Sequence, residues 1–270
     1  MVSHEQFRGQ KIGQLLARRE DGNFTSFLNP LMDINLKHRL ELPYTVVRMV
    51  AAGYQEMRRS KNLPHSAPHY EDMLQDTDTV LTMYPALRHK VDWRVFFGTF
   101  GWHDIAISRR KPSLTNLIVE QFFEHRVAVP PALDYMHAHN VASDLREKIA
   151  KLIYLHPFDP RHKIRMSVEG QMDERLRMTS RLFYVIDSGN AFAKARIDRS
   201  MEHIRRSVGG LTDPLMPFIL WYVKRYSGFM FDLGAEYPKV REMMEERKKI
   251  GLEYVDTLYR HVMGQNKTQV

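Results

Sequence analysis

Thirteen histidines and no cysteine restrict the chemistry of this 270-residue chain to nitrogen and oxygen donors. Disulfides, thiolate nucleophiles, iron–sulfur clusters and cysteine-bound zinc are all excluded. Six side chains stand where a cluster could assemble. His69 opens one helical segment and the His103-Asp104 pair ends a very apolar one. His125 closes a third, His156 ends the run 149–155, and Asp187 follows Leu182-Phe183-Tyr184-Val185-Ile186. A carboxylate in so apolar a helix face costs several kcal/mol unless it is paired or bound to a cation. A salt bridge from Asp187 to Arg181 or Arg196 meets that need, and so does a metal ion. Imidazoles and carboxylates together suit Fe, Mn or Zn. Six groups suffice for two ions, which can activate a bridging water and neutralise a phosphoryl oxygen.

Each histidine also has a plainer reading. His125, beside Glu124, fits a helix-end cation, and His156, before Pro157, fits a cap. His69 could be a surface histidine at a helix start, and His65, four residues earlier, competes with it for the same ligand role. His89, His137, His139 and His162 read as solvated.

Apolar residues recur at helical spacing almost throughout, as in Val46, Val47, Val50 and Tyr54, or Met73, Thr77, Val80, Leu81 and Tyr84. Strand-like alternation is nearly absent, so the chain reads as all-α. The segment 92–107, with Trp93, Val95, Phe96, Phe97, Phe100 and Trp102, predicts a helix buried on most sides. Further helices are expected over 115–124, 131–139, 143–155, 172–195, 199–208, 213–226 and 239–262. Proline and glycine mark the breaks: Asn62-Leu63-Pro64, Lys111-Pro112-Ser113, Val129-Pro130-Pro131, Pro157-Phe158-Asp159-Pro160 and Gly209-Gly210. Thr212-Asp213-Pro214 is a helix start. The expected organisation is an N-terminal helical segment over 1–62, a central unit over 63–228 and a C-terminal helical extension over 229–270.

The net charge of +8 favours anionic partners. With no recognised DNA- or RNA-binding motif, nucleic acid is the weaker reading. The longest dense apolar stretch, 218–223, is far too short to span a membrane, and the polar start Met1-Val2-Ser3-His4-Glu5 does not fit a secretory signal. A cytoplasmic protein is expected.

The chain order His69, His103-Asp104, His125, His156, Asp187 resembles the HD superfamily of metal-dependent hydrolases. The flanking sequence is similar to its HD-GYP branch, the cyclic di-GMP phosphodiesterases. Lys111-Pro112-Ser113-Leu114-Thr115, running into Phe122-Phe123-Glu124-His125, resembles that branch's KPxxLT segment and the histidine after it. Asp187-Ser188-Gly189-Asn190-Ala191-Phe192 with Arg196 and Arg199 resembles its aspartate segment followed by R-P-Y-R. Gly209-Gly210-Leu211-Thr212-Asp213-Pro214 resembles the G-x-x-F-D-P beyond it. The likeness covers roughly residues 65–225.

The resemblance implies a helical bundle holding two divalent metals, Fe or Mn first, with Zn, Mg and Ni as alternatives. His69, His103, Asp104, His125, His156 and Asp187 would be the ligands. It further implies hydrolysis of a nucleotide phosphodiester such as cyclic di-GMP, with Asp104 bridging the metals beside His103, and Lys111, Arg196 and Arg199 holding phosphate. A homodimer or a signalling-protein partner is also compatible. The departures are specific. HD-I-G-K continues here as Asp104-Ile105-Ala106-Ile107, so a phosphate-binding lysine is replaced by isoleucine. The HHE and D-G-x-G-Y-P segments are reduced to His156-Pro157-Phe158 and then Asp159 to Arg165. Arg109, Arg110, Lys111, Arg161, Lys163, Arg165, Arg196 and Arg199 are expected around the mouth of the site as compensation, since guanidinium forks suit phosphate. Two other readings stay open: a degenerate module that binds a nucleotide or a protein without turnover, and a di-iron oxygenase on the same ligand set, as in HD proteins resembling inositol oxygenase.

Overall fold

The computed structural model describes residues 22–208, 228–231 and 233–267, without the side chains of 22–27, 114, 117–122 and 262–267. Every regular element among the described residues is a helix. In chain order these are α1 (Gly22–Lys37), α2 (Tyr44–Arg58), α3 (Ala67–Met83), the short α4 (Leu87–Lys90), α5 (Trp93–Trp102), α6 (Ile105–Ser108), α7 (Leu114–Val127), α8 (Val129–Ala138), α9 (Ser143–Leu155), α10 (Lys163–Glu169), α11 (Glu174–Asn190), α12 (Lys194–Val208) and α13 (Pro238–Lys267). The all-α expectation therefore holds. No described helix is long and apolar enough to cross a membrane.

Helix α5 is the axis of the fold. Asp92 caps it, accepting from the N–H groups of Arg94 at 3.2 Å and Val95 at 3.4 Å. Trp93 and every residue from Val95 to Trp102 are buried, so the helix is apolar all round and needs partners on every side. Helices α2, α9 and α11 provide them. The α2 crossing is the tightest: a Cβ on Gly53 would lie 1.7 Å from the Gly101 carbonyl oxygen, so only glycine permits this approach. Phe96, Phe97, Phe100 and Phe183 fill the space between α5 and α11 with edge-on ring contacts.

Several elements differ from the sequence expectation. The helix expected over 92–107 ends at Trp102 and restarts at Ile105, which sets His103-Asp104 at a corner between two helices. The segment 172–195 is likewise broken, α11 ending at Asn190 and α12 starting at Lys194. A short helix, α10, covers Lys163–Glu169, where no helix was expected. Residues 62–64 form a turn within a single core: Leu28, Val46, Val50, Tyr54 and Met57 join the same hydrophobic cluster as Phe96 and Phe183. The C-terminal helix is docked too, with Val240 and Met244 buried and Arg247 paired to Asp76 of α3 at 2.6 Å. The expected helix at 213–226 and the Gly209–Pro214 segment lie outside the described residues.

Candidate metal centre

Helix ends and one helix face converge on a single buried point. His65 comes from the turn before α3 and His69 from its first turn. His103 and Asp104 come from the corner between α5 and α6, Glu124 from α7, His156 from the end of α9, and Asp187 from the last turn of α11. Pro64, Pro68 and Pro157 flank three of these positions, where proline sets the chain at a helix boundary.

Asp104 is at the centre. Its Oδ2 lies 2.8 Å from His65 Nδ1, 3.2 Å from His103 Nε2 and 3.5 Å from His69 Nε2. Asp187 Oδ1 lies 3.0 Å from His69 Nε2 and 3.7 Å from His103 Nε2. These donors fall into two groups that could each hold a metal ion: His69, His103 and Asp187, and His65, Asp104 and Glu124, the atoms of each group within 4.8 Å of one another. His156 joins the second group through Glu124, its Nε2 3.2 Å from Oε1.

The hydrogen bonding around this cluster matches a metal site. His65 Nδ1, His103 Nε2, Asp104 Oδ2 and Asp187 Oδ1 are buried and satisfied by no hydrogen bond among the described residues, although they crowd together. Buried polar atoms are normally paired, so these four either neutralise one another as close ion pairs, with His103 protonated against Asp104 at 3.2 Å, or share a bound cation. The far nitrogens are anchored. His103 Nδ1 donates to the Phe100 carbonyl at 3.1 Å and His156 Nδ1 to the Ile153 carbonyl at 2.6 Å, which turns Nε2 of each ring towards the carboxylates. His69 differs: its Nδ1 lies 2.9 Å from Asn190 Oδ1 and 2.7 Å from Arg196 Nη1, which also stands 3.0 Å from His69 Nε2.

The charges are strongly coupled. Burial opposes ionisation of Asp187, yet the His103 and His69 imidazoles beside it hold its carboxyl well below the ordinary range. Asp104 is held down in the same way by His103 and His65, again against burial. His103 is pushed up to about 10, the two carboxylates outweighing its burial. Burial and the Arg196 guanidinium bring His69 down to about 4, leaving a neutral ring. Arg196 is buried, with Nη1 2.7 Å from His69 Nδ1 and 3.5 Å from Asp187 Oδ1.

Of the side chains singled out in the sequence, His69, His103, Asp104, His156 and Asp187 lie near one another, and His125 lies apart from them. His125 is turned away: its ring packs on Tyr154 and Phe158, with centroids 5.3 and 5.0 Å off. Its neighbour Glu124 enters instead, because one residue along a helix rotates the side chain by about 100°. His65 is a member beside His69 rather than a rival to it. Glu124 was missed as a donor, although its place beside His125 in a basic chain was visible.

The expected ring of cations is mostly spent elsewhere. Arg109 pairs with Glu56, Arg161 with Asp159 and Arg199 with Asp72, at 2.9, 2.8 and 3.2 Å. Arg165 is wholly buried against Glu169 at 2.7 Å. Lys111 is exposed, its carbonyl accepting from Asn116 Nδ2 at 2.8 Å. Among the described residues, Arg196 is the one of the eight that lies against the donor cluster. Compared with family models, curated proteins and solved structures, the chain matches none of them, so the site rests on its own geometry.

Proposed function

We propose that this protein is a metal-dependent phosphodiesterase that hydrolyses a nucleotide phosphodiester, cyclic di-GMP in first place, at a two-metal centre. The observation that carries the reading is the set of four orphaned buried atoms around Asp104, surrounded by four imidazoles and three carboxylates. Their donor chemistry fits two divalent ions of the Fe, Mn or Zn type. One position uses His69, His103 and Asp187, and the other His65, Asp104 and Glu124, with His156 beside it. When bound, such ions acidify water and neutralise charge on the phosphoryl group.

The protein groups contribute the rest. Asp104 stands between the two donor sets, where its carboxylate orients the attacking water. Arg196 brings a fixed positive charge beside the cluster and suits a non-bridging phosphate oxygen. Phe183, Tyr70 and Phe100 wall the inner side and exclude bulk water, the His103 ring lying 5.1 Å from Phe183 and stacked 5.6 Å from Tyr70. Water adds to phosphorus and gives a proton to a carboxylate of the cluster, the P–O bond to the ribose breaks, and that proton passes from the carboxylate to the departing ribose oxygen.

Purified protein loaded anaerobically with iron or manganese should cleave cyclic di-GMP, and bis(p-nitrophenyl) phosphate more slowly. Asp104→Asn should abolish both activities. Nucleotide affinity without turnover would instead support a binding module. One observation favours that second reading: Ile107, at the position of the phosphate-binding lysine in the HD-GYP pattern, is sealed in the core.

A further inference from the structure

Resting on the reading of His156 and Asp187 as members of one donor cluster, we infer that Arg165 is a positioning residue for that cluster: its guanidinium ties the turn that carries His156 to the helix that carries Asp187. It acts through the backbone on either side of His156 and through Ser180 of α11.

Arg165 is wholly buried, and its five N–H groups face five acceptors. Nε donates to Glu169 Oε1 at 2.7 Å. Nη1 donates to the carbonyls of Phe158 at 2.8 Å and Leu155 at 3.4 Å, which bracket His156 at the end of α9. The last turn of a helix leaves carbonyls short of donors, and Pro157 removes one N–H that could have served. The cation also opposes the negative end of the α9 dipole. Nη2 donates to the Ser180 carbonyl and hydroxyl, both at 2.8 Å. Ser180 precedes Asp187 by seven residues, about two helical turns, so the two side chains project from one face of α11. The guanidinium carbon lies 4.8 Å from the Tyr184 ring centre, a second hold on α11.

Stability alone does not account for this choice of side chain. Burying a guanidinium is costly, and apolar residues of similar volume commonly serve stability as well or better. What an apolar side chain cannot do is select one arrangement of several backbone acceptors. A planar fork with all five donors engaged has one solution for the separation and roll of α9 against α11. That separation sets where His156 meets Glu124, Nε2 to Oε1 at 3.2 Å, and where its ring stands against His103, the centroids 5.2 Å apart. Glu169 completes the clamp, held in turn by Arg181 at 3.1 Å and the Ser180 hydroxyl at 3.2 Å.

The experiment compares the full chain with Arg165→Lys, which keeps the charge and loses the fork, and with Leu28→Ala, a core truncation on α1, away from α9 and α10. Melting temperature reports folding. The ring-nitrogen NMR signals of His156 in the metal-free chain report its placement, and cobalt(II) titration reports the assembled donors. Arg165→Lys should shift the His156 signals and weaken cobalt binding by about tenfold or more. Leu28→Ala should lower the melting temperature and leave both unmoved. If Arg165→Lys does not fold, Ser180→Ala, which removes one acceptor at the α11 end, takes its place and should move the same signals to a smaller degree. His156 signals that move no further than in Leu28→Ala overturn the positioning role, and so does unchanged cobalt affinity. A parent chain that binds no cobalt overturns the metal reading alone, and the His156 signals then decide the role of Arg165.

Discussion

Replacing Gly53 by alanine tests whether the α2–α5 crossing sets the position of the metal centre. The added Cβ would meet the Gly101 carbonyl oxygen at 1.7 Å, where ordinary contact begins near 3.4 Å. The obstacle is backbone, not the end of a flexible side chain, so the helices must move apart by roughly 1.7 Å. Overpacking of this kind costs about 1–3 kcal/mol, and contact with backbone puts it at the upper end. Alanine returns about 1 kcal/mol of helix propensity. A net loss of about 2 kcal/mol lowers Tm by roughly 4–8 °C in a chain of this size. Because Gly101 is two residues before His103, the same displacement shifts His103 and Asp104 and should weaken metal binding by about tenfold or more. Thermal unfolding followed by circular dichroism, and metal titration, measure the two effects. Gly228→Ala is the control, since a Cβ there meets nothing within 4 Å. A Gly53→Ala protein that melts at or above the parent temperature would mean that the helices do not cross at van der Waals contact here. A lowered Tm with unchanged metal affinity would mean that the crossing does not position the ligands.

Other outcomes follow from single contacts. His125→Ala should leave metal content unchanged by elemental analysis, because its ring rests on Tyr154 and Phe158. Arg165→Met should cost about 1–3 kcal/mol in denaturant unfolding, because the buried Glu169 loses its partner at 2.7 Å while keeping Arg181 at 3.1 Å and the Ser180 hydroxyl at 3.2 Å. Asp92→Asn, which keeps the cap but removes the charge beside Arg94 and the α5 N-terminus, should cost about 0.3–1 kcal/mol near neutral pH. Although burial opposes it, Arg94 holds the Asp92 carboxyl below its ordinary value. Its stabilisation is therefore complete above about pH 4 and lost as pH falls through the folded-state value, so the gap between parent and variant should close in acid. A gap that stays constant down to acid unfolding would remove the charge from the explanation.

Helical class and most element positions were legible because hydrophobic period is a local property. The expected 143–155 coincides with α9, while Val129-Pro130-Pro131, read as a break, forms the first turn of α8 directly after α7 ends at Val127. The corner at His103-Asp104 was not legible. No proline lies between Asp92 and Ile107, Gly98 and Gly101 sit within α5 instead of ending it, and the corner itself is buried, with His103, Asp104 and Ile105 all inside. The basic residues misled for a related reason. Arg165 follows Arg161 and Lys163 in a stretch that reads as a cationic loop, yet α10 turns it inward. There it donates to Glu169, the Ser180 carbonyl at 2.8 Å and the Phe158 carbonyl at 2.8 Å.

The sequence by itself determined the donor chemistry: a chain without thiols, rich in histidine, with imidazoles and carboxylates at helix ends in apolar surroundings. It also determined that the fold is helical. Only the tertiary structure decided which donors meet. Helical rotation is about 100° per residue, so the choice of Glu124 over His125 depends on how α7 is rolled against α9. The recruitment of His65 depends on the turn into α3. Such rigid-body placements are set by long-range packing, above all at the Gly53–Gly101 crossing, and no local pattern encodes them.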